Sequence, residues 1–247
     1  PNGTTIGLLL ALCESNIFEP DEIVPQLLKS LENKKVATKI KLRLIPVILS
    51  ISKTPQIVQV LISTIATKLY SKKIDKRKVA QNSLSILSEC VEPSDFFIIF
   101  QAIRQNLKEN GQIPILYLSL NTMVNHTKHK ESFDLFIKLF AETLLKDIFG
   151  YESTIRTKKA LPDAKHCLSF DTFKVLASNI NFRNCSKQLV ETIVEQFNNL
   201  HSMEQAQGAK KLIISICSGF VENESVDARY LAEIISMLLD SSSKKEQ

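Results

Sequence analysis

The sequence predicts an all-α fold: an α-solenoid of about five to six antiparallel helix pairs. Three observations carry that prediction. Only six of the 247 residues are glycine, too few for the tight turns and phosphate loops of all-β or α/β nucleotide-binding folds. Apolar residues recur at helical spacing almost throughout, as in Ile23, Leu27, Leu28 and Leu31, then Ile40, Leu44, Val47 and Ile51. The polar stretches between these stripes are short, which makes successive helices antiparallel neighbours.

Taken in order, the stripes predict helices near residues 4–15, 20–31, 35–52, 55–71, 75–90, 94–109, 113–126, 132–148, 152–160, 163–180 (broken), 186–200, 203–220 and 226–240. Glu19-Pro20 opens the second. Thr54-Pro55 reads as an N-cap followed by proline at the first helical position, where a missing N–H is harmless. Asp75 is placed to cap the helix that carries Val79, Leu84 and Leu87. Pro93-Ser94 and Leu161-Pro162-Asp163 open helices in the same way. The stretch Tyr151–Arg183 has shorter stripes and more polar residues, so a longer loop or a distorted repeat is expected there. No Asn-Gly turn lies between alternating runs; the ENGQIP stretch at 109–114 reads as a helix–helix turn.

The helices repeat. Sliding the chain by about 40 residues, the spacing of helix-pair repeats, lays KKVATKIKLRLIPVIL (34–49) on DKRKVAQNSLSILSEC (75–90). Ile40 then falls on Ala80 and Leu44 on Leu84. PILYLSLNTMV (114–124) and QAQGAKKLIISICSGF (205–220) follow the same pattern, with Ala209 and Ile213 in those roles. A single helix pair cannot bury both of its apolar faces, so each needs the next in the stack.

The stretch IVPQLLKSLENKKVATKIKLRLIPVIL resembles a HEAT repeat of the HEAT/armadillo superfamily, with Pro25 inside its first helix and Val36 opening its second. KRKVAQNSLSIL resembles the second helix of another copy, with Arg77 and Ala80 near the family's basic and small positions. It departs from the family at Ala37, where an arginine is usual, and at the turn, where lysines replace aspartate. The resemblance implies a superhelix and a non-catalytic scaffold. The expected organisation is one helical-repeat domain over 1–240, a fragment of something larger, with a frayed tail at 241–247.

Composition removes several classes of function. The longest charge-free run, Gly111–Thr127, holds Pro114, Asn121, Asn125 and His126 and is too short and too polar to span a membrane. No basic leader precedes an apolar core at the start, so an intracellular, cytoplasmic or nuclear, location is expected. The five cysteines, Cys13, Cys90, Cys167, Cys185 and Cys217, are odd in number and widely spaced, which fits buried free thiols better than a disulfide framework. The glycines are too scattered for a phosphate loop, and no Cys-x-x-Cys or Gly-x-Ser-x-Gly occurs. His126 and His129 read as a polar, exposed turn rather than metal ligands, and the adjacent His166 and Cys167 are not expected to complete a metal site. Asp21/Glu22 and Glu222/Glu224 are read as carboxylates at helix starts, where they favour the dipole, rather than as a general acid and base. No catalytic residue, metal site or cofactor is expected.

What stands out is basic. Net charge is +5, and cations gather in two turns one repeat apart. Lys34, Lys35 and Lys39, with Lys41 and Arg43, make the first cluster; Lys72, Lys73, Lys76, Arg77 and Lys78 make the second, against Asp75 alone. Arg156, Lys158 and Lys159 form a third group. Equivalent turns of a stack share an edge, so the first two clusters predict a basic ridge that attracts phosphate backbones or acidic peptide tails. Tyr70 is the one aromatic near it, while Phe96, Phe97 and Phe100 are assigned to the core. The primary reading is a scaffold for a protein partner with an acidic surface or tail. The alternatives are a tubulin-binding array of the TOG type, against which the absent tryptophan counts, and a nucleic-acid- or ribosome-associated scaffold that uses the ridge.

Overall fold

The computed structural model describes residues 20–33, 38–52, 54–107, 112–150 and 166–243. Among them the chain is all-α: eleven helices and no strand. Its contacts fall into two compact units, Pro1–Lys128 and His129–Gln247. The helices predicted at 4–15 and 152–160, and the opening at Leu161-Pro162-Asp163, lie outside the described residues.

The first unit contains α1 (Pro20–Glu32), α2 (Thr38–Ile51), α3 (Pro55–Leu69), α4 (Ile74–Cys90), α5 (Pro93–Asn106) and α6 (Ile113–His126). Proline stands in the first turn of α3, α5 and α6, and Pro25 lies inside α1. Thr54 has an extended backbone before α3, but its side chain makes no cap bond. Asp75 does not cap α4: Lys73 occupies that position and Asp75 sits within the first turn, where a carboxylate suits the helix dipole. Packing joins neighbours and next-but-one helices. Thus α2 packs on α4 and α4 on α6, while α3 packs on α5. The two faces of α4 and α3 that touch these partners are lined by Val58, Leu61, Ile62, Ile65, Ala80, Leu84 and Leu87, all buried. Phe96 and Phe100 are buried in α5, as the sequence predicts.

Two side-chain contacts fix the direction of α4 and α6. Gln81 meets Thr122, and Glu89 meets His126 at 3.4 Å. Moving along one helix moves the contact forward along the other, so the two run parallel. Parallel alternate helices with short connections are the hallmark of a helix-pair stack.

The second unit contains α7 (Ser132–Phe149), α8 (Ser169–Asn179), α9 (Phe182–Phe197), α10 (Met203–Glu222) and α11 (Ala228–Ser243). It repeats the scheme: α7 packs on α9 and α9 on α11, while α8 packs extensively on α10. Asp134 accepts from the Asn181 N–H at 2.8 Å near the starts of α7 and α9, and Phe149 meets Phe197 edge-on near their ends, so these helices are also parallel. Asn223 is buried and its amide donates to the carbonyls of Ala177 (2.7 Å) and Ile180 (2.9 Å), tying the end of α10 to the end of α8.

Helix starts explain two differences from the sequence reading. Asn181 caps α9 by accepting from the Asn184 N–H, so that helix begins four residues before the predicted 186. Buried Asp147 accepts from Ser169 (2.5 Å) and Cys167 (3.3 Å), which fixes the segment leading into α8. Residues 169–183 are therefore regular helix and turn, not the distorted stretch expected there; 151–165 lie outside the described residues. At the tail, α11 runs to Ser243, and 244–247 lie outside the described residues.

Candidate functional site

The best-built candidate is the basic turn between α3 and α4. The helix α3 ends at Leu69, and the Ser71 N–H donates back to the Lys68 carbonyl, turning the chain. Ser71 Oγ then accepts from the Lys73 N–H at 3.3 Å. Beneath the turn lies Arg77, only 2% exposed. Its Nη1 donates to the carbonyl of Ser71 at 2.7 Å and to that of Lys72 at 3.3 Å.

This arrangement divides the cluster by role. Lys72, Lys73, Lys76 and Lys78 are exposed. Arg77, grouped with them on sequence, is not a surface cation; it holds the turn from below. The physical reason is helical phase: Arg77, Ala80, Leu84 and Leu87 follow one another by three or four residues and share the buried face of α4. A buried guanidinium must spend its N–H groups on acceptors, and the turn carbonyls supply them. Asp75 is exposed beside the lysines. Tyr70 (38% exposed) and Ile74 (47%) place partly exposed apolar surface at the same turn. The result is a fixed turn flanked by four exposed lysines, Lys72 and Lys73 on the turn itself and Lys76 and Lys78 in the opening turns of α4.

The other predicted cations are less fully placed. Lys34 and Lys35 lie outside the described residues, as do Arg156, Lys158 and Lys159. Lys39 belongs to the first turn of α2, and α2 packs on α4.

Alternative chemistries find little among the described residues. No group of three or more His, Cys, Asp or Glu is placed to hold a metal ion. His129 Nδ1 lies 3.0 Å from Glu131 Oε1; a backbone hydrogen bond first, and then this contact, hold the Glu131 carboxyl below its ordinary range. The described cysteines are thiols rather than disulfides: Cys185 is buried as expected, Cys90 and Cys167 are half-buried, and Cys217 is exposed, contrary to the expectation of buried thiols. No described helix is long and apolar enough to cross a membrane.

Sequence reasoning missed a second feature. On α9 and α11, the Arg183 guanidinium lies over the ring of Tyr230, 5.4 Å from its centroid, beside a groove of about 430 Å³. The two residues are far apart in sequence and no stripe links them; only the packing of α9 on α11 brings them together.

A family model described as the U3 small nucleolar RNA-associated protein 20 domain matches residues 28–239, most of the chain. No curated protein matches it significantly.

Proposed function

The chain belongs to the U3 small nucleolar RNA-associated protein 20 domain family, and from that premise we propose that it is a non-catalytic helical-repeat scaffold in a ribonucleoprotein assembly, associated with U3 small nucleolar RNA and with ribosome formation. The HEAT/armadillo resemblance and a single repeat domain over 1–240 are part of this reading. A nuclear, nucleolar location goes with it. Nothing in the family description supports tubulin as a partner or a cytoplasmic site of action.

The observation that carries the reading is the basic turn. Lys72 and Lys73 are exposed on a turn whose backbone Arg77 holds, and Lys76 and Lys78 are exposed in the opening turns of α4 beside it. Lysines are compact, strongly hydrated charges that suit phosphate contacts without reading base sequence. Only one aromatic, Tyr70, stands at the turn, which suits backbone tracking along structured RNA better than base stacking along a single strand. The proposed ridge also takes in the first cluster, Lys34, Lys35 and Lys39, one repeat earlier in the sequence.

The test is a titration of the 247-residue chain against a U3 small nucleolar RNA transcript over a series of salt concentrations. Replacing Lys72, Lys73, Lys76 and Lys78 together by glutamate should weaken binding more than about tenfold and flatten the salt slope. Unchanged affinity and slope in a folded quadruple variant sinks the ridge. A chain that binds no RNA but is captured by acidic protein partners favours the second reading, a protein-only scaffold, which the same exposed lysines would serve.

A further inference from the structure

We infer that the groove between α9 and α11 is a second RNA contact, one that takes an unpaired nucleobase. It rests on the RNA-associated reading above but uses different residues and different chemistry: stacking rather than charge alone.

The groove has two kinds of wall. From α9 come Arg183, Ser186 and Lys187; from α11 come Tyr230, Glu233, Ile234, Ser236 and Met237. At about 430 Å³ it is within the range of small-ligand sites. Ser186 uses its hydroxyl on the Phe182 carbonyl and so contributes shape rather than a free donor. Ile234 is buried and gives an apolar floor. The phenol ring of Tyr230 is partly exposed and has an exposed guanidinium, that of Arg183, over it at cation–π range. A planar cation on an aromatic ring is a surface that every base can stack on.

The charges favour a polyanion. Arg183 and Lys187 are four residues apart, so they share one face of α9. Lys187 reaches Glu191 only at 3.9 Å, and both are well exposed; such a pair is weak and opens readily to a phosphate. The one carboxylate in the groove, Glu233, lies 3.8 Å from Arg229, which offsets its repulsion. A base lying on Tyr230 and Arg183 therefore has Lys187 one helical turn away for its phosphate. An acidic peptide would use the two cations but leave the ring and the apolar floor without a purpose.

The experiment uses the full 247-residue chain with a 12-nucleotide RNA carrying 4-thiouridine. Ultraviolet crosslinking should attach the RNA to the peptide that contains Tyr230. Tyr230→Ala and Arg183→Ser should each weaken affinity for this RNA by about fivefold or more, the range expected for losing one stacked base. Tyr230→Phe, which keeps the ring, should bind within about twofold of the original. Circular dichroism of each variant confirms that it is folded. Crosslinks confined to other peptides, or wild-type affinity in folded Tyr230→Ala and Arg183→Ser variants, overturn the inference while leaving the lysine turn intact. Tyr230→Phe falling with Tyr230→Ala would also overturn it, because the hydroxyl and not the stack would then carry the contact. Displacement of the RNA from this groove by a polyglutamate peptide at equal charge assigns the groove to acidic protein segments instead.

Discussion

Thr122 Oγ1 donates to Gln81 Oε1 at 3.0 Å, joining α6 to α4 across 41 residues. That spacing matches the slide of about 40 residues that superimposes successive helices of the sequence. The bond thus links the same level of two successive repeats, and it is part-buried between two helices that run in the same direction.

Thr122 also donates to the Leu118 carbonyl at 3.0 Å, so its hydroxyl is shared between its own helix and the neighbour. Removing the inter-helix bond should therefore have a modest effect. Thr122→Val and Gln81→Leu should each destabilise by about 0.5–1.5 kcal/mol. The double variant should lose less than the sum, since both changes break one bond. Chemical denaturation of the four species gives the coupling; strict additivity would mean that the bond contributes nothing.

Arg77 separates the turn's architecture from its charge. Arg77→Ala removes both donors to the Ser71 and Lys72 carbonyls and leaves a hole under the loop. A loss of about 1–3 kcal/mol is expected, with faster amide exchange at residues 71–73. Lys72→Ala and Lys78→Ala, at exposed positions, should change stability by no more than about 0.5 kcal/mol. If Arg77→Ala is as harmless as these, the guanidinium is not what orders the turn.

Gly219 and Gly208 give opposite expectations on one helix. A Cβ at Gly219 would collide with the Lys174 carbonyl oxygen and lie 2.7 Å from the Ala177 Cβ. Backbone of α8 cannot step aside as a side chain can, so Gly219→Ala should destabilise by about 1–3 kcal/mol or more. At Gly208 the nearest atoms, on Ile148 and Phe149, are side-chain carbons at 3.5 Å, an ordinary contact. There the gain in helix propensity should win, and Gly208→Ala should stabilise by up to about 1 kcal/mol. Thermal melts of the two variants that shift the same way would refute the close approach of α8 and α10.

These relationships also show what the sequence can reveal. The helix at 113–126 is legible to the residue because Pro114 marks its start and its stripe is dense. The start of α9 is misplaced because its cue is the Asn181 cap and the buried Phe182, which precede the longer stripe. The role of Arg77 is hidden by its company: within KKIDKRK it looks like one more solvated charge. Its phase with Ala80 and Leu84 was the available signal. Arg183 and Tyr230 have no local signal at all, because their pairing depends on how α9 and α11 pack.

Cysteine chemistry offers a test that needs no substitution at first. Cys185 is buried on α9, and its thiol donates to the Asp134 carbonyl at 3.8 Å. Burial, then the nearby Asp134 charge and a hydrogen bond with the Asp134 side chain, push its pKa up from 9.0 to about 12. Only the thiolate is nucleophilic, so Cys185 should resist iodoacetamide at pH 8 while exposed Cys217 is modified; mass spectrometry of the digested protein distinguishes them. The same shift predicts a pH dependence whose sign follows from proton linkage. The folded thiol holds its proton more tightly than the unfolded one, so the stabilisation is complete below about pH 9 and fades as pH rises towards 12. Cys185→Ala should remove that part of the alkaline decline. Rapid labelling of Cys185 in the native protein, or identical alkaline denaturation profiles for the two proteins, would contradict its burial against Asp134.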